Sequence, residues 1–243
     1  MTSSEDIFTL APPKADVRIP YGNDRNQFID LRLPKQKGPH PGAICLHGGY
    51  WRARYDLEYL GHLSAALTAK GIATANVEYH RLGNSGGGWP GTFSDIRAAY
   101  QFVVQNTARY EIDAKRVIVL GHSAGGQLAL CLAAHEPGLK AAISLAGVVD
   151  LQRAYELHLS NDAVVEFLGG TPKEVPDHYR EADPMKLTIT ARQWLVHGAE
   201  DDIVPPELSR EYVKAKIKEN AKLVMIEKAG HFEIVDPRAR AWY

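Results

Sequence analysis

The sequence predicts an α/β domain in which a mostly parallel central sheet is flanked by helices and carries a small cap-like insertion. Three observations predict it. Short apolar runs recur along the chain at spacings that suit strands buried in a parallel sheet. Amphipathic stripes of helical period lie between them, and strands alternating with helices build βαβ units. The chain has 243 residues, 45% of them apolar. A chain of that size can bury roughly 70% of its unfolded surface in one core.

The elements follow in order. The first 15 residues read as a loose arm ending in Pro12-Pro13. The hexapeptide Met1 to Asp6 is acidic and polar, without the basic and apolar regions of a signal peptide. Phe28-Ile29-Asp30-Leu31-Arg32-Leu33 alternates apolar and charged residues, as an edge strand does. Buried strands are predicted at Ala43 to Leu46, Ile72 to Val77, Val117 to Leu120, Ala141 to Leu145, Trp194 to Val196 and Leu223 to Ile226. Leu60, Leu63 and Leu67 mark a helix stopped by Gly71. Ile96, Ala99, Tyr100, Val103 and Val104 mark a second, with Thr92 and Asp95 as a capping-box pair. Ala124 to Ala134 is rich in Ala and Leu, both strong helix formers. Glu207 to Lys218 is the last full helix, and Pro237 to Tyr243 a final helical stretch. The segment from about 151 to 187 breaks the rhythm and reads as an insertion of the lid or cap type within a single domain spanning residues 1–243. Long connections in compact domains are often functional.

Composition excludes several function classes. With 28 basic and 29 acidic residues the net charge is −1, and no basic stripe marks a nucleic-acid surface. No apolar run approaches the roughly 18 residues of a membrane span, so a soluble, cytoplasmic protein is expected. The two cysteines, Cys45 and Cys131, sit in apolar runs and read as buried free thiols. No metal-ligand spacing accompanies the carboxylates, so neither metal nor cofactor is expected. A homodimer is compatible with the sequence but not required by it.

One constellation carries chemistry. Gly121-His122-Ser123-Ala124-Gly125 fits G-x-S-x-G, between a predicted strand and a predicted helix. That context is a nucleophile elbow, a tight turn that sets the serine at a helix N-terminus, where developing negative charge is favoured. A serine hydroxyl needs a base and an orienting acid. Of the ten histidines, His231 in the loop after the last strand is the best-placed base. The acid is expected between serine and histidine, where Glu200, Asp201 and Asp202 stand consecutively. Upstream, His47-Gly48-Gly49-Tyr50-Trp51 follows a strand, where a glycine turn can aim a backbone N–H at a substrate oxygen. Gly49 or Tyr50, with Ala124, are the expected oxyanion donors, and His47 a structural hydrogen-bonding residue. Trp51, Trp89, Tyr155, Phe167 and Phe232 are candidates for the pocket wall. Gly86-Gly87-Gly88 reads as a flexible loop near the pocket mouth.

With these residues in view the chain, from about Leu31 to Tyr243, resembles the α/β-hydrolases of the esterase/lipase and dienelactone-hydrolase-like kind. It is also similar to the catalytic domain of prolyl-oligopeptidase-type enzymes, but has no room for their propeller. The His47–Trp51 element resembles the HGGxW of kynurenine formamidases, and departs from the HGGG of hormone-sensitive-lipase-like enzymes because Tyr50 stands at the third glycine. The resemblance implies a cofactor-independent serine hydrolase with Ser123, His231 and an acid. Related hydrolases place that acid four residues after the histidine of an HGxxDxxVP-like element, which from His197 is Asp201. The expected reaction is hydrolysis of small to medium carboxylic esters through an acyl-enzyme. The alternative is hydrolysis of an N-formyl amide such as N-formylkynurenine.

Overall fold

A computed structural model describes residues 7–242. Met1 to Asp6 and Tyr243, and the expectations that fall on them, lie outside the described residues. The strands are β1 (Val17–Pro20), β2 (Phe28–Arg32), β3 (His40–Leu46), β4 (Ala73–Val77), β5 (Ile112–His122), β6 (Ala141–Leu145), β7 (Arg192–Gly198) and β8 (Ala221–Ile226). They form one eight-stranded sheet in the order β1-β2-β4-β3-β5-β6-β7-β8. β1, β2 and β4 pair antiparallel, and every other pairing is parallel. The helices are α1 (Gly61–Ala69), α2 (Gly91–Gln105), α3 (Ala124–His135), α4 (Leu151–Glu156), α5 (Ala163–Leu168), α6 (Pro176–Ala182) and α7 (Pro206–Lys216).

Several local expectations are corrected. The alternating segment at Phe28 is not the edge: β1 lies outside it, and the Arg18 guanidinium bonds both carboxylate oxygens of Asp30 (2.7 and 2.9 Å). That pairing lets the polar positions of β2 be covered. The far edge is β8, which is only half-buried. Thr92 and Asp95 do not cap α2, whose first turn begins after Pro90 without a side-chain cap. Thr92 donates instead to the His80 carbonyl (2.6 Å) and Asp95 accepts from the His80 N–H and ring (2.8 and 2.6 Å). These long-range bonds hold the strand-to-helix connection and outcompete the local motif. The C-terminal stretch is reduced to a 3-10 turn at Arg240–Trp242. The N-terminal arm is not loose at its described start: Ile7 is fully buried among Cys45, Leu60 and Val235. Its neighbour Phe8 packs on Tyr59 (5.1 Å) and Phe232 (4.9 Å).

The segment from about 151 to 187 holds α4, α5, α6 and a 3-10 turn at Pro184–Lys186. Leu151, Val164, Phe167, Leu168 and Tyr179 of this segment are buried in the main core. Buried Asp183 closes it, accepting the N–H groups of Leu151 and Met185 (both 3.1 Å). Burial pushes the Asp183 carboxyl up to about 6.

The parallel registers align the C-terminal strand ends. Leu46 pairs with Gly121, His122 with Leu145, Leu145 with Val196 and Gly198 with Ile226. The segments that follow β3, β5, β7 and β8 therefore emerge along one rim, where open α/β sheets bind ligands.

Candidate active site

Ser123 stands between β5 and α3 with φ 57° and ψ −122°. A non-glycine residue there costs of order 1–3 kcal/mol and persists only where its surroundings fix it. Its N–H donates to the Leu145 carbonyl (2.8 Å), and its own carbonyl accepts from Gly126 (2.9 Å). The flanking glycines answer to close approach: a Cβ on Gly121 would sit 1.9 Å from the Gly125 carbonyl oxygen, and one on Gly125 2.2 Å from that of Leu46. The turn thus packs against the end of β3, and Ser123, 3% exposed, opens into a cavity of about 410 Å³.

His231 lines the same cavity. Its Nδ1 lies 2.7 Å from Asp201 Oδ2. Glu200 and Asp202 are exposed, whereas Asp201 is buried. Asp201 Oδ2 also meets His197 Nε2 (3.1 Å), while Oδ1 accepts the N–H groups of Ile203 (2.9 Å) and Val204 (2.8 Å). Burial alone would raise the Asp201 carboxyl, but the bonds from His197 and His231 outweigh it and hold it well below the ordinary carboxylate range. An ionised Asp201 takes the Nδ1 proton as its partner, so a neutral His231 presents a bare Nε2.

The glycine turn after β3 has positive φ at Gly49 (100°), Tyr50 (48°) and Trp51 (58°). Gly49 and Tyr50 line the cavity, and Tyr50 Oη donates to the Ile203 carbonyl (2.9 Å), tying this turn to the acid loop. The Tyr50 and Ala124 N–H groups make no backbone hydrogen bond among the described residues. Beneath the turn His47 is buried, stacked on Tyr79 (4.3 Å), with Nε2 3.1 Å from Glu78 Oε1. Burial would raise the Glu78 carboxyl, but His47 and Arg81 beside it leave it lowered. Glu78 Oε2 accepts from the Leu57 N–H (3.2 Å), and Tyr79 Oη donates to the His47 carbonyl (2.6 Å).

A second chain of bonds joins the turn, the elbow and the His231 loop. The Gly48 N–H donates to Tyr59 Oη (2.7 Å), which lies 2.8 Å from His122 Nδ1. His122 Nε2 lies 3.0 Å from the His231 carbonyl. A carbonyl only accepts, so Nε2 carries the proton and Nδ1 accepts from Tyr59. His122 is thereby held neutral, and burial, followed by nearby His231, drives its imidazole well below the ordinary histidine range.

Four of the five expected pocket aromatics are not in the cavity wall. Trp51 is fully buried, stacked on Phe167 (4.4 Å), with Nε1 donating to Gln127 Oε1 (3.0 Å). Its left-handed backbone turns the indole inward, away from the rim. Phe167 is itself core, and Trp89 stacks on Phe93 (5.1 Å) behind it. Tyr155 packs against the core near His158 (6.3 Å). Only Phe232 lines the cavity, beside Phe8, Tyr55 and Tyr59, none of which the sequence singled out. The Gly86–Gly88 loop is not at the mouth either. A Cβ on Gly87 would collide with the Arg81 carbonyl, and the Trp89 N–H donates to Phe167 O (2.8 Å), so it is a packed connection against α5. The functional residues missed by sequence reading are Tyr59, Glu78 and the Tyr59-bound role of His122. Only His122, inside the G-x-S-x-G motif, had a local signal.

The sequence matches the BD-FAE family model over residues 29–216. The chain belongs to the BD-FAE family. It is similar to "Esterase LipQ" of Mycobacterium tuberculosis, 25% identical over 218 residues that cover 81% of this chain and 51% of LipQ. It is also similar to "Uncharacterized peptidase YtmA" of Bacillus subtilis, 31% identical over 72% of this chain and 68% of that protein. The chain spans about half the length of LipQ and of the Arabidopsis thaliana protein "Probable isoprenylcysteine alpha-carbonyl methylesterase ICMEL1" (50%). Among solved structures, a "Truncated form of carbohydrate esterase from gut microbiota" matches with a TM-score of 0.79 at 20% identity, covering 92% of both chains. The BD-FAE match and this likeness agree on an α/β-hydrolase fold.

Proposed function

We propose that this BD-FAE chain is a serine hydrolase that cleaves small to medium carboxylic esters through an acyl-enzyme. The observation that carries the reading is the His231–Asp201 pair (2.7 Å) facing the same cavity as a strained Ser123 at a helix N-terminus. Ser123 Oγ attacks the ester carbonyl as His231 Nε2 takes its proton. His231 then delivers that proton to the leaving alkoxide, and Asp201 holds the tautomer and stabilises the imidazolium. The N–H groups of Ala124 and of Gly49 or Tyr50 receive the oxyanion. Water releases the acid by the same proton relay in reverse. The esterase names of LipQ and of the gut carbohydrate esterase support an ester substrate. The formamide alternative rests on the resemblance of the His47–Trp51 element alone, and none of the similar proteins named above carries a formamidase name. That leaves the ester as the better-supported substrate. Free, buried Cys45 and Cys131 suit a reducing compartment, so we place the reaction in the cytoplasm.

A fluorophosphonate probe should label Ser123 in the folded protein. A panel of p-nitrophenyl esters, aryl acetates and N-formylkynurenine should show ester turnover first. Ser123→Ala should lower kcat by about 10⁴ to 10⁶ with the fold retained. Near-normal ester turnover by folded Ser123→Ala overturns the mechanism, and faster turnover of N-formylkynurenine than of any ester overturns the substrate reading.

A further inference from the structure

Among the described residues, the cavity wall carries one arginine that no ion pair neutralises: Arg54, which no described carboxylate answers. Arg54 lines it together with Ser123 and His231, and no Asp or Glu is among the described residues of its wall. Arg54 is exposed, with its guanidinium carbon 4.8 Å from the centroid of the Tyr55 ring. A ring face holds a guanidinium in place while leaving its N–H edge free to donate. Among the described residues no carboxylate lies within ion-pair distance of it. The contrast with its neighbour is direct. Arg52 is paired with Glu166 (3.0 Å) and also donates to Ser160 Oγ (3.0 Å). The nearest acid in sequence, Asp56, is occupied by the Glu58 N–H (2.9 Å). The remaining wall is largely aromatic: Phe8, Tyr50, Tyr55, Tyr59 and Phe232. Such a wall removes water from a bound ligand, and a charge-assisted bond to Arg54 gains strength as water leaves. The net charge of the chain is −1, so this positive mouth is local, not a property of the whole surface.

From this geometry we infer that the ester substrate bears a carboxylate, which Arg54 binds at the mouth of the cavity while Ser123 attacks the ester carbonyl. The inference rests on the serine-hydrolase reading above. Arg54 touches the part of the substrate that does not react, so it sets specificity. Its contribution falls mainly on KM if the contact is equal in ground and transition states.

Matched ester pairs test it. On the leaving-group side, 4-acetoxybenzoate is compared with the neutral 4-acetoxybenzamide. On the acyl side, the 4-nitrophenyl monoester of glutarate is compared with its terminal amide. The quantity read is the ratio of kcat/KM for the anionic to the neutral member, within each variant, so a general change in activity cancels. In at least one pair Arg54→Gln should lower that ratio by about tenfold, and Arg54→Lys by less, since it keeps the charge without the fork. Raising salt from about 0.05 to 0.5 M should erode the wild-type ratio and leave that of Arg54→Gln flat, because the Debye length shortens. Arg54 is exposed, so both variants should fold, which circular dichroism checks. A ratio unchanged by Arg54→Gln in both pairs, with every ester still hydrolysed, overturns this inference and leaves the hydrolase reading intact. Absence of turnover of all four esters by folded wild-type protein overturns the hydrolase reading instead.

Discussion

Ser123, His231 and His122 form the buried floor of the cavity with Asp201 buried behind His231, whereas Phe8 and Arg54 in the same wall face solvent. The floor is saturated with directed bonds. Asp201 accepts from four groups, and Gly48, Tyr59, His122 and the His231 carbonyl form one continuous chain. The mouth is held by ring contacts and one cation–ring contact, with few polar ties. A reaction that develops charge needs donors and acceptors fixed before the substrate arrives. A surface that selects substrates gains from apolar area and from charge left free for the ligand.

The contrast breaks most sharply at Asp201. Asp201→Asn removes the charge that fixes the His231 tautomer and should lower kcat by roughly 10⁴. Asp202→Asn alters an exposed neighbour and should cost tenfold or less. Steady-state kinetics on the two purified variants decide it, and a severe loss confined to Asp202→Asn reverses the assignment.

Trp51 and Phe232 sharpen the boundary between floor and mouth. Trp51→Ala empties a fully buried site and strands Gln127 Oε1, so it should destabilise the fold by about 3–5 kcal/mol in chemical denaturation. Phe232→Ala should cost less stability and shift ester preference more, because its ring lines the cavity. The opposite pattern would return Trp51 to the pocket wall.

The smallest effect is a pH dependence of stability. His122 has a folded pKa below its unfolded value near 6.5, so its contribution is complete above about pH 6.5. It is lost as pH falls, because the unfolded chain takes up a proton that the folded His122 refuses. Asp201, held low, adds its own loss only below about pH 4, as its unfolded form protonates. His80 works in the other direction: Asp95 and Asp24 raise its pKa against the pull of burial, so its contribution persists in acid and fades as pH rises through the raised value. Comparing wild type with His122→Asn isolates the first term. Between pH 7.5 and 5 the melting temperature of wild type should fall more than that of His122→Asn, by an amount set by at most about 1.4 kcal/mol per pH unit. Equal slopes would show that His122 takes up protons freely in the fold.

The sequence was most informative where chemistry and backbone geometry are set within a few residues. Gly121 and Gly125 can only be glycine in a turn that presses on Gly125 and on the end of β3, so the elbow was readable as a pattern. Strand period and helix stripes likewise follow from local spacing and were readable. Contacts between distant segments left no such trace. Phe8 and Phe232, Tyr59 and His122, and Arg52 and Glu166 meet only when the sheet aligns its C-terminal ends. Nothing local separates Arg52 from Arg54, two residues apart, yet one finds an acid and the other faces the cavity. Trp51 shows the same limit: its place beside the oxyanion turn was legible, but the direction of its ring depends on a left-handed backbone and a Gln127 acceptor on another element. The fold class and the strand–turn–helix setting of Ser123 were legible from sequence alone, because they rest on periodicity and on residues a few positions apart. Which aromatics line the cavity, and which arginine faces it without a described acid beside it, follow from the folded packing alone, because each depends on remote residues brought within bonding distance.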